Sequence, residues 1–278
     1  MINWSDYDIG NHRLQCPACG RGPRDRTLGL TIKLDGSGVC HCYRCSLAET
    51  YRPKRGSRLS TPAQPRIKAV APADKHEVLS EWGHSMWGVS KPLSGVALDY
   101  LAARRCCIPP EGSDLRWHPA LKHPSGYVGP ALLALITDAL TGEPLSIHRT
   151  WIQANGRKAD IDPPRLLLGG HRKAGGVIRL WPLEAGATAL GVCEGVESAL
   201  SLAHALKPSW SCIDAGNLKA LPVLPDIETL VIGRDNDAAG IRASTECAQR
   251  WLNGGRRVVV TQQSENDLND MIMGLASA

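Results

Sequence analysis

The sequence lacks any apolar run that approaches the length of a membrane span, so we expect no transmembrane helix. Residues 1–10 are polar and acidic, without the apolar centre of a secretory signal. We therefore expect a cytoplasmic protein that contacts no membrane and keeps its ten cysteines reduced.

The cysteines are clustered, with five of the ten inside residues 16–45. Clustering of reduced cysteines indicates a metal site rather than disulfides. Two CxxC pairs, Cys16/Cys19 and Cys42/Cys45, are separated by 22 residues. Each pair presents two thiolates to one ion, and two pairs complete the tetrahedral shell of a structural Zn²⁺.

Cys40 and His41 stand beside the second pair and are alternative zinc ligands. We prefer Cys42 and Cys45, because only they keep the CxxC spacing. Cys40 is expected on the strand that leads into this pair.

Charge is unevenly distributed along the chain. Residues 1–75 contain 13 Lys and Arg against 6 Asp and Glu, whereas residues 186–278 contain 7 against 11. The basic front suits a polyanion such as nucleic acid, and arginines surround both cysteine pairs. The acidic back suits the binding of metal ions.

Composition and pattern predict four segments. A zinc-ribbon-like module covers residues 1–51, and a basic, proline-rich linker covers residues 52–75. Residues 76–185 have a mixed α/β pattern that includes a predicted hairpin. Residues 186–278 alternate strands and helices, which predicts a mainly parallel sheet with helices on both faces. The fold class is therefore α/β behind a zinc-binding module.

Three acidic motifs lie at the ends of predicted elements in residues 186–278. Glu194 ends one strand, Asp235 and Asp237 follow another, and Asp267 and Asp270 precede the last helix. Ligands of open α/β sheets bind beyond the carboxyl ends of the strands, so these side chains are expected to converge. Carboxylates suit Mg²⁺ or Mn²⁺, although Asp267 or Asp270 is also a candidate helix cap.

The order of these motifs resembles a Toprim domain over residues 188–273. The resemblance consists of Glu-Gly before a helix, a DxD followed by an Ala-Gly helix, and the D-x-N-D element of residues 267–270. It implies that Glu194, Asp235 and Asp237 are catalytic and that Asp267 is a further ligand. One departure is Ser198, which stands where bacterial primases carry an Asp. Glu197 is a candidate to compensate for it, although it stands one position earlier.

The middle region extends this resemblance to the zinc-finger Toprim (DnaG-type) DNA primases of phages and mobile elements. It carries the strings YLAARR, LRWHP, HRTW and GRKA, which are similar to the segment before Toprim in those proteins. The resemblance implies synthesis of RNA primers on a single-stranded DNA template from nucleoside triphosphates. No GxxxxGK[ST] motif is present, so a separate replicative helicase is the expected partner.

Basic residues of the middle region are candidates for holding nucleotide or template. We select Arg149, Lys158 and Arg165, because a primase needs cations beside its metal ions. The alternative for each is an ordinary charged surface. Two other functions stay open: a Toprim nuclease with the same carboxylates, and a catalytically silent DNA-binding module. A topoisomerase is disfavoured, because nothing resembles a separate tyrosine-bearing cleavage domain.

Overall fold

The computed structural model describes residues 2–20, 22, 25–42, 44–45, 47–52 and 76–274. These residues fall into two compact units, one within residues 1–71 and one within residues 72–278. Residues 53–75 of the predicted linker lie outside the described part of the chain.

The first unit is a four-stranded antiparallel sheet in the order β1-β2-β3-β4. Its side chains alternate between a buried and an open face, so Leu28, Leu30 and Cys40 pack in a small core. Cys40 lies on β3, the strand that leads into the second cysteine pair. The strands are β1 (Gly10–Leu14), β2 (Leu28–Ile32), β3 (Gly38–Cys42) and β4 (Ala48–Tyr51).

The second unit is a mixed α/β core. Its first half contains α1 (Glu81–Gly88), α2 (Val96–Ala103), β5 (Leu115–Lys122), β6 (Val128–Asp138), β7 (Pro144–Trp151), β8 (Arg165–Leu167) and β9 (Gly176–Arg179). Its second half contains β10 (Ala189–Cys193), α3 (Val196–Leu202), β11 (Ser209–Ser211), α4 (Ala215–Ala220), β12 (Thr229–Gly233), α5 (Ala238–Asn253), β13 (Arg257–Val260) and α6 (Leu268–Gly274).

One nine-stranded sheet runs through both halves in the order β13-β12-β10-β11-β9-β6-β7-β8, with β5 paired to β6. Strands β13, β12, β10 and β11 are mutually parallel, and the strands from β9 onward join antiparallel. The predicted α/β class with a mainly parallel C-terminal sheet is confirmed.

Helices cover both faces of the parallel part. Successive residues of β10 point to opposite sides, so Val192 packs with α4 and α5 while Cys193 packs with α3 and α6. All seven residues of α3 are buried, which fixes this helix directly behind the carboxyl end of β10.

Helix α5 shows how local sequence sets an element. Its buried residues recur every three or four positions and give the helix one apolar face, which includes Ala243, Cys247 and Trp251. The side chain of Asp237 caps the first turn, and the helix stops before Gly254 and Gly255.

Helix α3 ends at Leu202, and the chain then turns into β11. Strand β11 ends at Ser211, and Ile213 beyond it adopts a left-handed φ of 74°.

Candidate functional site

The structure brings the four CxxC cysteines together. Their sulfur atoms all lie within 4.8 Å of one another. The Sγ atoms of Cys16 and Cys45 are 3.6 Å apart, and those of Cys19 and Cys42 are also 3.6 Å apart. Four sulfurs from two turns are the donor set of a closed structural zinc site, so the residues fit Zn²⁺.

Cys42 is prepared to act as a thiolate. Burial opposes its ionisation, but backbone N–H groups of Cys45 and Arg44 lower the pKa of this thiol to about 6. Cys40 is buried on the same strand but is not one of the four clustered cysteines, and His41 lies on the exposed face.

Arg44 braces the two cysteine turns against each other. Its Nη1 donates to the carbonyl oxygen of Cys19 at 3.0 Å and to Asp25 at 2.8 Å. The Asp25 side chain is only 4% exposed, so this ion pair belongs to the interior of the module. The sequence indicated only that arginines surround the cysteine pairs, and it did not predict this contact.

The predicted carboxylates gather at the carboxyl edge of the parallel strands. Glu194 follows β10, Asp235 follows the neighbouring strand β12, and Asp267 precedes α6. Among the described residues, these carboxylates do not form a group as compact as the four cysteines. A less compact group of carboxylates is suited to Mg²⁺, because this ion is usually held by one or two carboxylates together with waters and substrate phosphates.

Glu194 and Asp235 both hold protons more tightly than usual. Burial, followed by the charges of Asp235 and Asp237, raises the pKa of Glu194 to about 8. Burial, followed by the charges of Asp267 and Asp237, raises the pKa of Asp235 to about 7. Oε1 of Glu194 and Oδ1 of Asp235 are buried without a hydrogen-bond partner. Orphaned buried oxygens surrounded by like charge fit a divalent cation.

Two of the predicted ligands also cap helices. Oδ1 of Asp237 accepts from the backbone N–H groups of Ala239 and Gly240, each at 2.9 Å. Oδ1 of Asp267 accepts from the N–H groups of Asn269 and Asp270 at 2.8 and 2.9 Å. The cap orients each carboxylate and leaves Oδ2 for another ligand. Asp270 itself lies on the exposed first turn of α6.

Asn236, the middle residue of the DxD, locks this loop in place. Its Nδ2 donates to the carbonyl oxygens of Gln263 and Glu265 at 2.5 and 2.6 Å, and its N–H donates to Asn266 at 2.7 Å. Gln263 returns a bond of 2.5 Å to the carbonyl oxygen of Arg234. These bonds fix the DxD against the loop that carries Asp267, and sequence reasoning missed both residues.

Gly240 allows the two carboxylates to approach α5. A Cβ at this position would lie 2.5 Å from the carbonyl oxygen of Asp235 and 3.0 Å from Oε1 of Glu194. Any side chain there would therefore displace the carboxylate edge.

Asp214 is a further acidic residue at this edge that sequence reasoning missed. It follows β11, caps α4, and forms an ion pair with Lys173. Its charge contributes to the raised pKa of Glu194. The signal was present in the sequence, because Asp214-Ala215-Gly216 after a strand resembles the Asp-Ala-Ala-Gly that follows β12.

The three predicted cations have different surroundings. Lys158 and Arg165 both face Oε1 of Glu197, at 3.7 and 3.2 Å. Arg149 is 7% exposed; its Nη2 donates to the carbonyl oxygen of Leu167 at 2.9 Å, and its guanidinium lies over the ring of Trp151. The structure thus brings Lys158 and Arg165 together and holds Arg149 by a different contact.

Comparison with protein families identifies the C-terminal part. Residues 189–277 match the model of the Toprim domain, so the chain carries a Toprim domain, as the motifs predicted. Residues 77–180 match the model of a domain of unknown function (DUF7146). No curated protein matches the sequence.

The chain also resembles solved primase structures. The primase fragment of the bacteriophage T7 primase-helicase is 18% identical, with a TM-score of 0.45 and 96% of each chain covered. The zinc-binding and RNA polymerase domains of the Aquifex aeolicus primase are 14% identical, with a TM-score of 0.47, over 98% of this chain and 80% of that one. A DNA primase domain from Pseudomonas aeruginosa is 15% identical, with a TM-score of 0.46, over 70% and 74%. Of the predicted resemblance to zinc-finger Toprim primases, the family match over residues 189–277 confirms the Toprim domain.

No helix among the described residues has the length and apolar character needed to cross a membrane.

Proposed function

We propose that this chain is a DNA primase of the zinc-finger Toprim type that synthesises short RNA primers on single-stranded DNA. The observation that carries the proposal is the pair of orphaned carboxylate oxygens, on Glu194 and Asp235, at the carboxyl edge of the parallel strands. Both residues lie in the part of the chain that matches the Toprim domain. The positive charge of Arg165 acts on Asp235 and partly offsets the rise in its pKa.

The carboxylates of four residues would hold Mg²⁺ or Mn²⁺: Glu194, Asp235, Asp237 and Asp267. The exposed Asp270 would be a further ligand. When bound, such ions supply charge that activates a 3′-hydroxyl and stabilises the leaving pyrophosphate. Glu194 has an alternative role. Where its carboxyl does not contact an ion, a pKa of about 8 would let it accept and release a proton near neutral pH, as a general base for the hydroxyl requires.

Lys158 and Arg165 would bind the triphosphate of the incoming nucleotide. Both are cationic, both are partly exposed, and both feel the charge of Asp267. Arg149 stays a proposed nucleotide or template contact, which would require its guanidinium to exchange the bond to Leu167. These groups orient the reacting phosphate beside the carboxylates.

The four segments have separate tasks in this proposal. The zinc module of residues 1–51 and the basic linker of residues 52–75 contact the template. Residues 76–185 supply cations, and residues 186–278 supply carboxylates. We further propose a phage or mobile-element origin, residence in the cytoplasm, and a separate replicative helicase as partner.

The test is template-dependent synthesis by the purified full chain. Single-stranded DNA templates of several sequences are incubated with labelled ribonucleotides and Mg²⁺ or Mn²⁺. We expect short RNA products that require template and disappear in the double variant Asp235→Ala, Asp237→Ala. Cleavage of labelled DNA without nucleotides would indicate the nuclease, and DNA binding without synthesis or cleavage would indicate the silent module.

A further inference from the structure

Glu197 is a buried acidic residue in the core of the second unit. It is the second residue of α3, and its side chain is 8% exposed. Its Oε1 accepts from the hydroxyl of Tyr100 at 2.7 Å and from Nη2 of Arg165 at 3.2 Å, and it lies 3.7 Å from Nζ of Lys158. One buried oxygen therefore gathers a neutral donor and two cations.

The surroundings of this carboxylate are buried. Tyr100 is fully buried on α2, and all seven residues of α3 are buried. Nδ2 of the buried Asn269 on α6 donates to the hydroxyl of Ser201, whose own Oγ donates to the carbonyl of Glu197. The same hydrogen-bonded network thus extends from Glu197 to the helix that follows Asp267.

The side chains of Lys158 and Arg165 are more exposed than that of Glu197. The side chain of Lys158 is 26% exposed and that of Arg165 is 42% exposed, so both reach solvent while one end of each is fixed. Without the carboxylate of Glu197 between them, the charged groups of Lys158 and Arg165 would repel each other, and their side chains would move apart. A fixed pair of partly exposed cations is a binding arrangement for a polyphosphate.

We infer that Glu197 is a positioning residue that holds Lys158 and Arg165 together as a polyphosphate-binding pair beside the carboxylate edge. The inference rests on the proposed function for the identity of the polyphosphate as a nucleoside triphosphate. It also bears on whether Glu197 supplies the metal ligand that is missing at Ser198. We infer that it does not. Its carboxylate is committed to Tyr100 and the two cations, while Ser198 occupies the next position.

The experiment measures binding of inorganic tripolyphosphate to the full chain by isothermal titration calorimetry, with and without Mg²⁺. Glu197→Gln keeps the shape but removes the charge, and Glu197→Asp keeps the charge. The matched control is Glu246→Gln, which breaks the exposed pair of Lys219 and Glu246 between α4 and α5, 2.9 Å long. Tyr100→Phe removes one hydrogen bond from Glu197 and leaves all charges.

We expect Glu197→Gln to weaken tripolyphosphate binding about tenfold or more, because the cations lose their common geometry. Glu197→Asp should recover part of the affinity, and Glu246→Gln should bind like the wild type. Deleting a negative charge that merely competed with phosphate would instead tighten binding. Tighter or unchanged binding by a folded Glu197→Gln, or no binding by the wild type, would overturn the inference.

Two further readouts keep the result decisive. If Glu197→Gln does not fold, Tyr100→Phe decides: binding weakened about threefold supports the inference, and wild-type binding overturns it. In primer synthesis, Glu197→Gln should raise KM for ATP far more than it lowers kcat. A chain that shows the binding difference but makes no primer would refute the proposed function alone. Synthesis with unchanged tripolyphosphate binding would refute only this inference.

Discussion

The side-chain amide of Asn269 donates to the backbone carbonyl oxygen of Arg104 at 2.8 Å, across 165 residues of sequence. Asn269 also donates to the hydroxyl of Ser201 at 3.0 Å and is fully buried. It thereby fastens α6, which follows Asp267, both to the segment before the Toprim domain and to α3. This one side chain therefore helps to fix the position of the third acidic motif.

Replacing Asn269 with Ala should lower the free energy of unfolding by about 2–3 kcal/mol, because it removes the hydrogen bonds that this buried amide donates to the carbonyl oxygen of Arg104 and the hydroxyl of Ser201. Urea unfolding of the full chain measures the change. Asn253→Ala is the control, since Asn253 is exposed at the end of α5 and should change stability by less than about 0.5 kcal/mol. Equal stability of Asn269→Ala and wild type would contradict the fastening role.

Asn236→Ala should impair catalysis more than stability. The change removes the two short bonds to the carbonyl oxygens of Gln263 and Glu265, and the DxD loop then loses its fixed distance to Asp267. We expect primer synthesis to fall about a hundredfold, as misplacement by about 1 Å can cause. The rate of synthesis is compared with the unfolding midpoint of the same sample.

Gln263→Ala, which removes the reciprocal bond to Arg234, should cause a smaller loss of the same kind. Wild-type rates of primer synthesis by both variants would show that these hydrogen bonds are not needed to position the DxD loop.

Much of the fold follows from short-range signals. The apolar strand before Glu194, the capped helix after Asp237 and the CxxC turns each depend on residues within a few positions of one another. Such patterns set local backbone and direct the strands to one edge of the sheet. The Toprim arrangement and the cysteine cluster were therefore predictable.

The contacts that distinguish this site are long-range and left no local pattern. Glu197 pairs with Tyr100, 97 residues earlier, and Asn236 bonds to residues 27 and 29 positions later. A lone glutamate or asparagine has the same sequence appearance at the surface or inside a network. Lys158 and Arg165 were selected as cations near the metals, but their shared anion became visible only in the structure.

The carboxylate edge should make stability depend on pH when no Mg²⁺ or Mn²⁺ is added. Glu194 and Asp235 have pKa values raised to about 8 and about 7, above their ordinary values of 4.5 and 3.8. Over this window the folded state retains protons that the unfolded state has released, so the free energy of unfolding falls as pH rises. Urea unfolding at a series of pH values measures the slope.

The variants Glu194→Gln and Asp235→Asn should flatten this pH dependence, because each removes a titrating group and one repulsive charge. Glu246→Gln, on the exposed surface of α5, should retain the wild-type slope. Added Mg²⁺ should also flatten the dependence by compensating the carboxylate charge. A slope that is identical in all four proteins would show that these carboxyls titrate normally.

The zinc module should fold only with its metal. Among its described residues, the large apolar side chains that are buried are those of Leu28, Leu30 and Ile32, and the others in its core are only partly buried. We therefore expect metal binding to contribute much of its folding free energy. We expect about one zinc ion per chain by mass spectrometry, lost in Cys42→Ser, together with protease sensitivity confined to the module. Cys40→Ser is the matched control: it changes a buried cysteine outside the four-sulfur cluster and should retain zinc. Loss of zinc from Cys40→Ser, with retention in Cys42→Ser, would assign the ligand to Cys40 instead.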